Sequence, residues 1–461
     1  MAPRRFLAAA SLLTIGGLTL GLTAPANAAT PDNHYHSVTT AGSVALFSGY
    51  TSARGNELYS TDGTKAGTKL VKDLVPGKVS GLDLNQGVPY FTTIGTKTYF
   101  SAHGASTNLH LWVTDGTAAG TTQLTGAGKF KYGSSPFGLT AVGDELFFSV
   151  RSSTAKYGRV LWKSDGTKAG TKAVPGVLGK KGKYGYVGSY PQFLAAVGSK
   201  LYFAVLSSKD TSKLDIWSTD GTTSKRELSY PQTNVGTGYL QSLSEFDDKL
   251  VIVTTSRMGK EQRIWSYDGS GVPTPLTTVT TVSKVPVEFD GSLFFLSSYS
   301  AGIREPQLMR VTPTGAANGV KPTILNDDDV DSIVIHGDKL WFETHDSPSE
   351  SIWTLDSATT TPVLVKATGV QYHSLDRFDN TAYLDGNVYF VLRGQLWKSD
   401  GTTAGTVRVL SFNMPVGYAL NTHIAVAGDH IAVTLSDKNG KSALWLSDGT
   451  AEGTTKVLPA G

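Results

Sequence analysis

One stretch near the middle of the chain places cationic and aromatic residues close together. Three lysines and three tyrosines fall between residues 179 and 190, with glycines among them. Aromatic faces can lie under sugar rings, and ammonium groups pair with carboxylates or sulfates. The stretch therefore predicts binding of an acidic polysaccharide, and an ordinary solvated loop is the alternative. The residues concerned are Lys180, Lys181, Lys183, Tyr184, Tyr186 and Tyr190.

A second stretch concentrates carboxylates. Four aspartates occupy five consecutive positions, Asp327, Asp328, Asp329 and Asp331. Several oxygen ligands are what Ca²⁺ requires, so a calcium site is one interpretation. The run lacks the spaced ligands and the glycine turn of known calcium loops, which favours a solvated acidic turn. We therefore expect no cofactor, with Ca²⁺ as the alternative.

Sequence signatures of known enzymes are absent from the chain. It has no His-Glu-x-x-His, no Gly-x-Ser-x-Gly and no phosphate-binding glycine loop. The close histidine pair His34 and His36 falls near the N-terminus, where a solvated tail is favoured over a metal role. No catalytic residue can be assigned from these patterns.

The rest of the chain is organised by a repeated turn motif. Its pattern is Ser/Thr-Asp-Gly-Thr-x-x-Gly-Thr, and full copies occupy residues 61–68, 114–121, 164–171, 399–406 and 447–454. An aspartate that opens a turn accepts a backbone N–H two residues on, and glycine supplies positive φ. Turn formation is therefore favoured over calcium binding or catalysis for Asp62, Asp115, Asp165, Asp220, Asp400 and Asp448.

Nine units follow one another along the chain. Each contains an apolar triplet such as Leu146-Phe147-Phe148, followed by a pair such as Leu161-Trp162. Successive pairs are 44 to 55 residues apart, a period typical of propeller blades. In the third unit the pattern predicts strands over 138–142, 145–150, 159–164 and 171–174. The triplets are apolar on consecutive residues, so both faces of that strand must be buried, as in stacked blades.

These features predict an all-β fold, a β-propeller of four-stranded blades. One nine-bladed ring is favoured because the spacing is regular and no linker interrupts it; eight blades or two rings remain alternatives. The first unit begins with its innermost strand and the last ends with its outermost. Ring closure by blade packing, without an exchanged strand, is therefore expected.

The repeated motif resembles the bacterial ELWxxDGT repeat of secreted multi-repeat proteins. The resemblance covers nearly all of the chain after its N-terminal segment. It implies export and a propeller-like fold, but no established activity and no catalytic residues. The pattern weakens in units five to seven, at Tyr267-Asp268-Gly269-Ser270, at 310–315 and at Leu355-Asp356-Ser357, which leaves the turn of those units open.

The first 28 residues have the layout of an export signal: Arg4 and Arg5, an apolar run, and Ala26-Asn27-Ala28. We expect cleavage after Ala28, leaving residues 29–461 as one propeller outside the cytoplasm; both the Sec route and the twin-arginine route fit.

Because the removed segment has two arginines and no acidic residue, the formal net charge falls from +3 to +1. Such a charge does not indicate nucleic-acid binding. No later apolar run could span a membrane, and the absence of cysteine excludes disulfides.

Charge is nevertheless uneven along the chain. Residues 120–190 have a net charge of +8, and residues 281–385 a net charge of −8. In a closed ring these arcs lie on opposite sides. A disc with two charged sides, able to stack on itself or to orient on a charged wall, is one hypothesis, and unselected surface variation is the other.

The sequence favours a secreted, non-catalytic binding or scaffold propeller. Its ligand would be a cell-envelope or extracellular glycan, or another exported protein. One alternative is a propeller-fold glycan hydrolase or lyase at the central channel, using acids such as Asp376, Asp379 or Asp385. A purely structural extracellular protein is the other alternative.

Overall fold

The structure is a computed structural model in which the chain forms a ring of antiparallel β-sheets. It describes residues 38–457 except for 83–90, 105–107, 127–133, 152–158, 178–180, 183–184, 187–189, 208–212, 232–238, 256–260, 280–281, 283–284, 299–305, 315–328, 347–348, 372–377, 379, 393, 413–421 and 437–441.

Each of the nine blades is a meander of strands that follow one another in the chain. The strands of blades 1 to 3 are β1 Val38–Ala41, β2 Val44–Thr51, β3 Gly55–Thr61, β4 Lys69–Lys72; β5 Thr92–Ile94, β6 Lys97–His103, β7 Leu109–Thr114, β8 Thr122–Gln123; β9 Phe137–Val142, β10 Glu145–Arg151, β11 Arg159–Ser164, β12 Lys172–Ala173.

A two-stranded hairpin separates blades 3 and 4. Its strands and those of blades 4 to 6 are β13 Lys181–Gly182, β14 Gly185–Tyr186; β15 Gln192–Val197, β16 Lys200–Leu206, β17 Lys213–Thr219, β18 Ser224–Pro231; β19 Tyr239–Phe246, β20 Lys249–Thr255, β21 Gln262–Tyr267, β22 Thr274–Val279; β23 Val287–Phe289, β24 Ser292–Ser298, β25 Pro306–Val311.

Blades 7 to 9 complete the ring. Their strands are β26 Asp329–His336, β27 Lys339–Asp346, β28 Ser349–Leu355, β29 Val363–Gln371; β30 Thr381–Leu384, β31 Asn387–Leu392, β32 Gln395–Ser399, β33 Val407–Ser411; β34 Thr422–Ala427, β35 His430–Ser436, β36 Ser442–Ser447, β37 Thr455–Val457. Every blade has four strands except blade 6, in which the described residues form three.

The apolar triplets lie on the second strand of each blade and face both neighbouring blades. In blade 3, Leu146 and Phe148 pack into a cluster shared with blade 2, whereas Phe147 packs into one shared with blade 4. All three side chains are at most 1% exposed. Consecutive apolar residues are required because a strand alternates its side chains between two faces, and here both faces are covered. The propeller prediction is confirmed.

The ring closes by packing of blade 9 against blade 1. The backbone N–H of Val426 donates to Thr40 Oγ1 at 3.0 Å. Phe47 and Tyr59 of blade 1 share an apolar cluster with Leu444 of blade 9. Among the described residues the strands of these two blades pair only within their own sheets, so closure needs no exchanged strand.

Chain direction divides the ring into two faces. In the described residues, the turns between first and second strands, and between third and fourth strands, lie at the same end of each blade, which we call the turn face. The loops between second and third strands, and the connections between blades, lie at the other end, the connector face. The described residues include no helix long and apolar enough to cross a membrane.

Candidate functional site

The repeated motif forms the turn between the third and fourth strands on the turn face. In blade 3, Asp165 Oδ1 accepts the Thr167 N–H at 2.8 Å and the Thr167 hydroxyl at 2.7 Å. Gly170 N donates to Thr167 Oγ1, and the hydroxyls of Ser164 and Thr171 lie 2.7 Å apart. The same bonds recur at Asp62, Asp115, Asp400 and Asp448. Each carboxylate thus accepts hydrogen bonds from residues of its own turn.

These bonds keep the motif aspartates ionised. The hydroxyl of Thr167, followed by its backbone N–H, holds the pKa of Asp165 below its usual value. The same pair of donors lowers the pKa of Asp62, Asp115, Asp400 and Asp448. In blade 4 the Asp220 carboxylate accepts the N–H groups and hydroxyls of both Thr222 and Thr223. An ionised carboxylate whose oxygen is occupied by its own turn is a poor general acid.

Two of the three units with a weakened motif keep a hairpin at this position. In blade 5, Asp268 Oδ1 accepts the N–H and hydroxyl of Ser270, and Gly269 has a φ of 89°. In blade 7, the Ser357 N–H donates to the Thr360 hydroxyl, and this hydroxyl donates to the Ser357 carbonyl. In blade 6 the segment after Val311 is mostly outside the described residues. The residues that differ from the motif therefore change the hydrogen bonds of the turns in blades 5 and 7 without removing these turns.

A different arrangement lies on the connector face of blade 3. The Arg159 guanidinium carbon is 5.6 Å from the centre of the Phe137 ring, which is 38% exposed. Arg159 Nη1 donates to the carbonyls of Ser135 at 2.7 Å and Ser149 at 3.2 Å. These bonds hold the guanidinium across the ends of β9 and β10. The result is a fixed cation above an exposed aromatic ring.

Tyr190 joins this arrangement from the connection to blade 4. Its backbone N–H donates to the Arg159 carbonyl at 3.1 Å, and its side chain is 40% exposed. Its φ is 51°, a conformation that bulky residues rarely adopt. Arg151, exposed at the end of β10, has no acidic partner among the described side chains. We call Phe137, Arg151, Arg159 and Tyr190 the basic surface of blade 3.

The residues predicted for glycan binding are only partly described. Lys181 and Tyr186 are cross-strand partners in the β13–β14 hairpin. Lys180, Lys183 and Tyr184 lie outside the described residues, and the side chains of Lys181 and Tyr186 are likewise not described. Tyr190 is the member whose side chain is placed. The glycan prediction for the group stays a prediction.

The acidic stretch and the channel acids are only partly described. Asp329 and Asp331 belong to β26, whereas Asp327 and Asp328 lie outside the described residues. No group of three or more His, Asp or Glu able to hold a metal occurs among the described side chains, and the calcium alternative stays untested. Asp385 is an exposed residue of the β30–β31 turn. The remaining candidates lie outside the described residues: His34, His36, Asp376 and Asp379.

Glu227 is a carboxylate that the sequence did not single out. It accepts Ser218 Oγ at 2.7 Å, Lys225 Nζ at 2.7 Å and Tyr267 Oη at 3.1 Å. Burial raises its pKa, but these donors, Lys225 foremost, more than offset burial and hold the pKa below its usual value. Burial, together with the Glu227 charge, raises the pKa of Tyr267 to about 12. Because Tyr267 belongs to blade 5, this carboxylate links two blades.

Sequence reasoning missed Phe137, Arg151 and Arg159. Phe137 precedes the segment predicted as the first strand of its blade and belongs to no apolar triplet. An aromatic residue outside the triplets, next to the start of a predicted strand, was the available signal. Its pairing with Arg159, 22 positions later, depends on three strands being side by side.

Comparison with known proteins supports the fold. No family model matches the chain, and no curated protein matches it. A solved structure of a eukaryotic initiation factor is similar at a TM-score of 0.54 and 11% identity, covering 89% of this chain and 95% of that one. The β-propeller domain of the trilobed protease from Pyrococcus furiosus matches at 0.37 and 12%, over 70% and 95%.

A prolyl endopeptidase structure matches at a TM-score of 0.47 and 14% identity, over 78% of this chain. The chain spans 53% of that protein's length. Similarities at such low identity bear on the fold alone.

Proposed function

We propose that the chain is a secreted, non-catalytic binding or scaffold β-propeller whose ligand is an extracellular or cell-envelope glycan or another exported protein. The observation that carries the proposal is the basic surface of blade 3, where the exposed Phe137 ring lies beside the Arg159 guanidinium and Tyr190, bonded to the Arg159 carbonyl, is 40% exposed. Exposed aromatic rings beside a fixed cation are typical of a recognition surface. Export rests on the N-terminal segment with its Arg4 and Arg5.

The backbone around this surface supports a binding role. Ser135, Tyr190 and Phe193 have positive φ, at 40°, 51° and 53°, and all lie at the entry to blade 3 or blade 4. Among the described residues, the other non-glycine positions with positive φ are turn aspartates, Asp247, Asp248, Asp290 and Asp385, which tolerate this conformation. Strain at bulky residues persists where surrounding structure holds it, and such strain is frequent at ligand sites.

The motif aspartates support a scaffold role for the remainder of the ring. They occur one to a blade in blades 1 to 4, 8 and 9, and each is bonded within its own turn, as at Asp165. Groups distributed around a ring in this way stabilise each blade, whereas glycoside hydrolysis needs two carboxyl groups at one scissile bond.

The test is binding of the mature protein to a panel of envelope and environmental glycans. Retention is measured at low and high salt, with release of reducing sugars and unsaturated products followed in the same wells. We expect retention without product, and weaker retention for Phe137→Ala and Tyr190→Gly. Product release would replace the proposal with the hydrolase or lyase alternative. Loss of all retention would leave the structural alternative.

Export is tested separately. The protein is recovered from the medium of the producing cells, and its N-terminal residue is identified by mass spectrometry. We expect a chain that begins at Ala29. Recovery of an uncleaved chain inside the cells would contradict the secreted assignment.

A further inference from the structure

We infer that the basic surface of blade 3 binds a polyanionic polysaccharide, one that carries carboxylate or sulfate groups. The inference rests on the proposed function and names its ligand class. It follows from the way the fold distributes the charges of this blade between the two faces of the ring.

All acidic residues of this part of the chain lie on the turn face. Between residues 120 and 190 there are three of them, Asp144, Glu145 and Asp165. Asp144 and Glu145 stand at the turn between β9 and β10, and Asp165 opens the turn after β11. Glu145 is also bonded to Lys163 Nζ at 2.7 Å. Residues 120–190 thus contribute no carboxylate to the connector end of blade 3 that would repel an anion.

Two arginines of the same region lie at the connector end of the blade. Arg151 ends β10 and Arg159 begins β11, at paired positions of neighbouring strands. The chain segments that link β8 to β9, β10 to β11 and β12 to β15 contain six lysines and no acidic residue. Positive charge therefore predominates in the sequence around Arg151 and Arg159. Such a concentration attracts a chain of anions more than a single one.

The aromatic rings favour a polysaccharide over an acidic peptide. The Arg159 guanidinium lies 5.6 Å from the centre of the Phe137 ring, and the Arg159 carbonyl accepts the backbone N–H of the exposed Tyr190. An aromatic face offers flat apolar contact to the C–H face of a sugar ring, and a guanidinium offers a planar fork to its carboxylate or sulfate.

The experiment compares matched polymers on the whole mature protein. Polygalacturonate and its carboxyl-reduced form share a backbone but differ in charge, as do dextran sulfate and dextran. We expect retention of the charged member of each pair, with affinity falling as salt rises because ions screen exposed charges. A Gln- and Glu-rich acidic polypeptide is included to test a protein ligand.

The variants separate the two faces of the blade. Arg151→Glu is expected to weaken binding to the charged polymers by about tenfold, as loss of a charged hydrogen bond does. Lys168→Glu makes the same charge change on the exposed turn of the same blade and is the matched control. Circular dichroism and thermal unfolding confirm that both variants fold.

The outcomes distinguish this inference from the proposed function. Equal binding of charged and neutral members, or equal loss in Arg151→Glu and Lys168→Glu, would overturn the polyanion inference while leaving glycan binding in place. Retention of the acidic polypeptide alone would also overturn it in favour of a protein ligand. Retention of no polymer and no polypeptide would remove the proposed function itself.

Discussion

The hydroxyl of Tyr389 lies 2.5 Å from the position that a Cβ on Gly449 would occupy. Tyr389 is the central residue of the apolar triplet of blade 8, and Gly449 belongs to the repeated turn of blade 9. Tyr99 meets Gly166 in the same way, and Tyr202 meets Gly269. The triplet of one blade thus supports the turn of the next, and this contact connects the two most repeated features of the sequence.

The contact predicts that Gly449→Ala destabilises the ring for two reasons. Its φ of 85° is unfavourable for alanine, which costs about 1–3 kcal/mol, and the new methyl group would collide with the Tyr389 hydroxyl. Gly386→Ala is the matched control, because Gly386 has a φ of 79° with open space around it. In chemical denaturation, Gly449→Ala should lose more stability than Gly386→Ala.

Removing the hydroxyl should reverse part of that loss. The double variant Gly449→Ala/Tyr389→Phe is expected to lose less unfolding free energy than the sum of the losses of its two single variants. Strictly additive single effects would show that the contact has no energetic weight.

Much of the ring could be predicted from sequence because its repeats are local. The strand expected over 159–164 is observed as Arg159–Ser164, and that expected over 145–150 as Glu145–Arg151. The turn motif and the apolar triplet are each recognisable within a few consecutive residues, and both belong to a unit that the chain repeats nine times. The number of blades follows from the same count.

The basic surface could be predicted only in part, because its members meet through the order of strands. Tyr190 was identified from a local concentration of lysine and tyrosine, but Phe137 and Arg159 meet only after β10 places β9 and β11 side by side. Glu57 was missed for the same reason. Its partners are backbone groups 17 and 24 residues later.

The motif aspartates predict a loss of stability in acid. The Thr167 hydroxyl and N–H hold the pKa of Asp165 below its usual value in the folded state. A lowered folded-state pKa gives stability that is present above the unfolded value, near 3.8, and is lost as pH falls through the folded value. Asp165→Ala should lose about 1 kcal/mol at pH 7 for the missing hydrogen bonds, and less below pH 3.

The measurement is urea unfolding between pH 2 and pH 7 for the wild type and Asp165→Ala. Asp338→Asn serves as the control, because Asp338 is an exposed aspartate on the same face with no side-chain hydrogen bond among the described residues. A constant difference between the wild type and Asp165→Ala at all pH values would contradict the assignment of this acid sensitivity to the motif carboxylate.

The hydrogen bonds of the tryptophan indole groups predict a stability difference between blades 4 and 5. In blade 5 the Trp265 indole N–H donates to Thr254 Oγ1 at 3.0 Å. In blade 4 the equivalent indole, Trp217, has no acceptor among the described residues, and Val205 occupies the position of Thr254. Thr254→Val should therefore destabilise the protein by about 1–3 kcal/mol, because a buried donor loses its partner.

Thr255→Val is the control for this change, because Thr255 is the adjacent buried threonine and has no side-chain bond among the described residues. Val205→Thr offers Trp217 an acceptor and should recover stability in blade 4. Thermal unfolding reports both effects, and tryptophan emission reports the local change. Equal losses for Thr254→Val and Thr255→Val would assign the effect to packing alone.

Glu57 predicts a loss of stability as pH rises from about 4.5 to neutral. Its carboxylate is fully buried beneath the connection from blade 1 to blade 2 and accepts the N–H groups of Leu74 at 2.6 Å and Gly81 at 2.8 Å. Burial raises its pKa to about 7, against the opposing effect of these hydrogen bonds. Because the unfolded chain releases this proton near pH 4.5 and the folded chain near pH 7, stability falls as pH rises between those values.

Replacing Glu57 by glutamine should remove this dependence. Between pH 5 and pH 8 the wild type is expected to lose about 2–3 kcal/mol relative to Glu57→Gln, although the variant is less stable at pH 5, where its amide group faces a backbone donor. Glu452→Gln is the control, since Glu452 is exposed on the turn face. Parallel stability profiles for wild type and Glu57→Gln would mean that the two N–H donors keep Glu57 ionised throughout, so that the connection is held by a charged group.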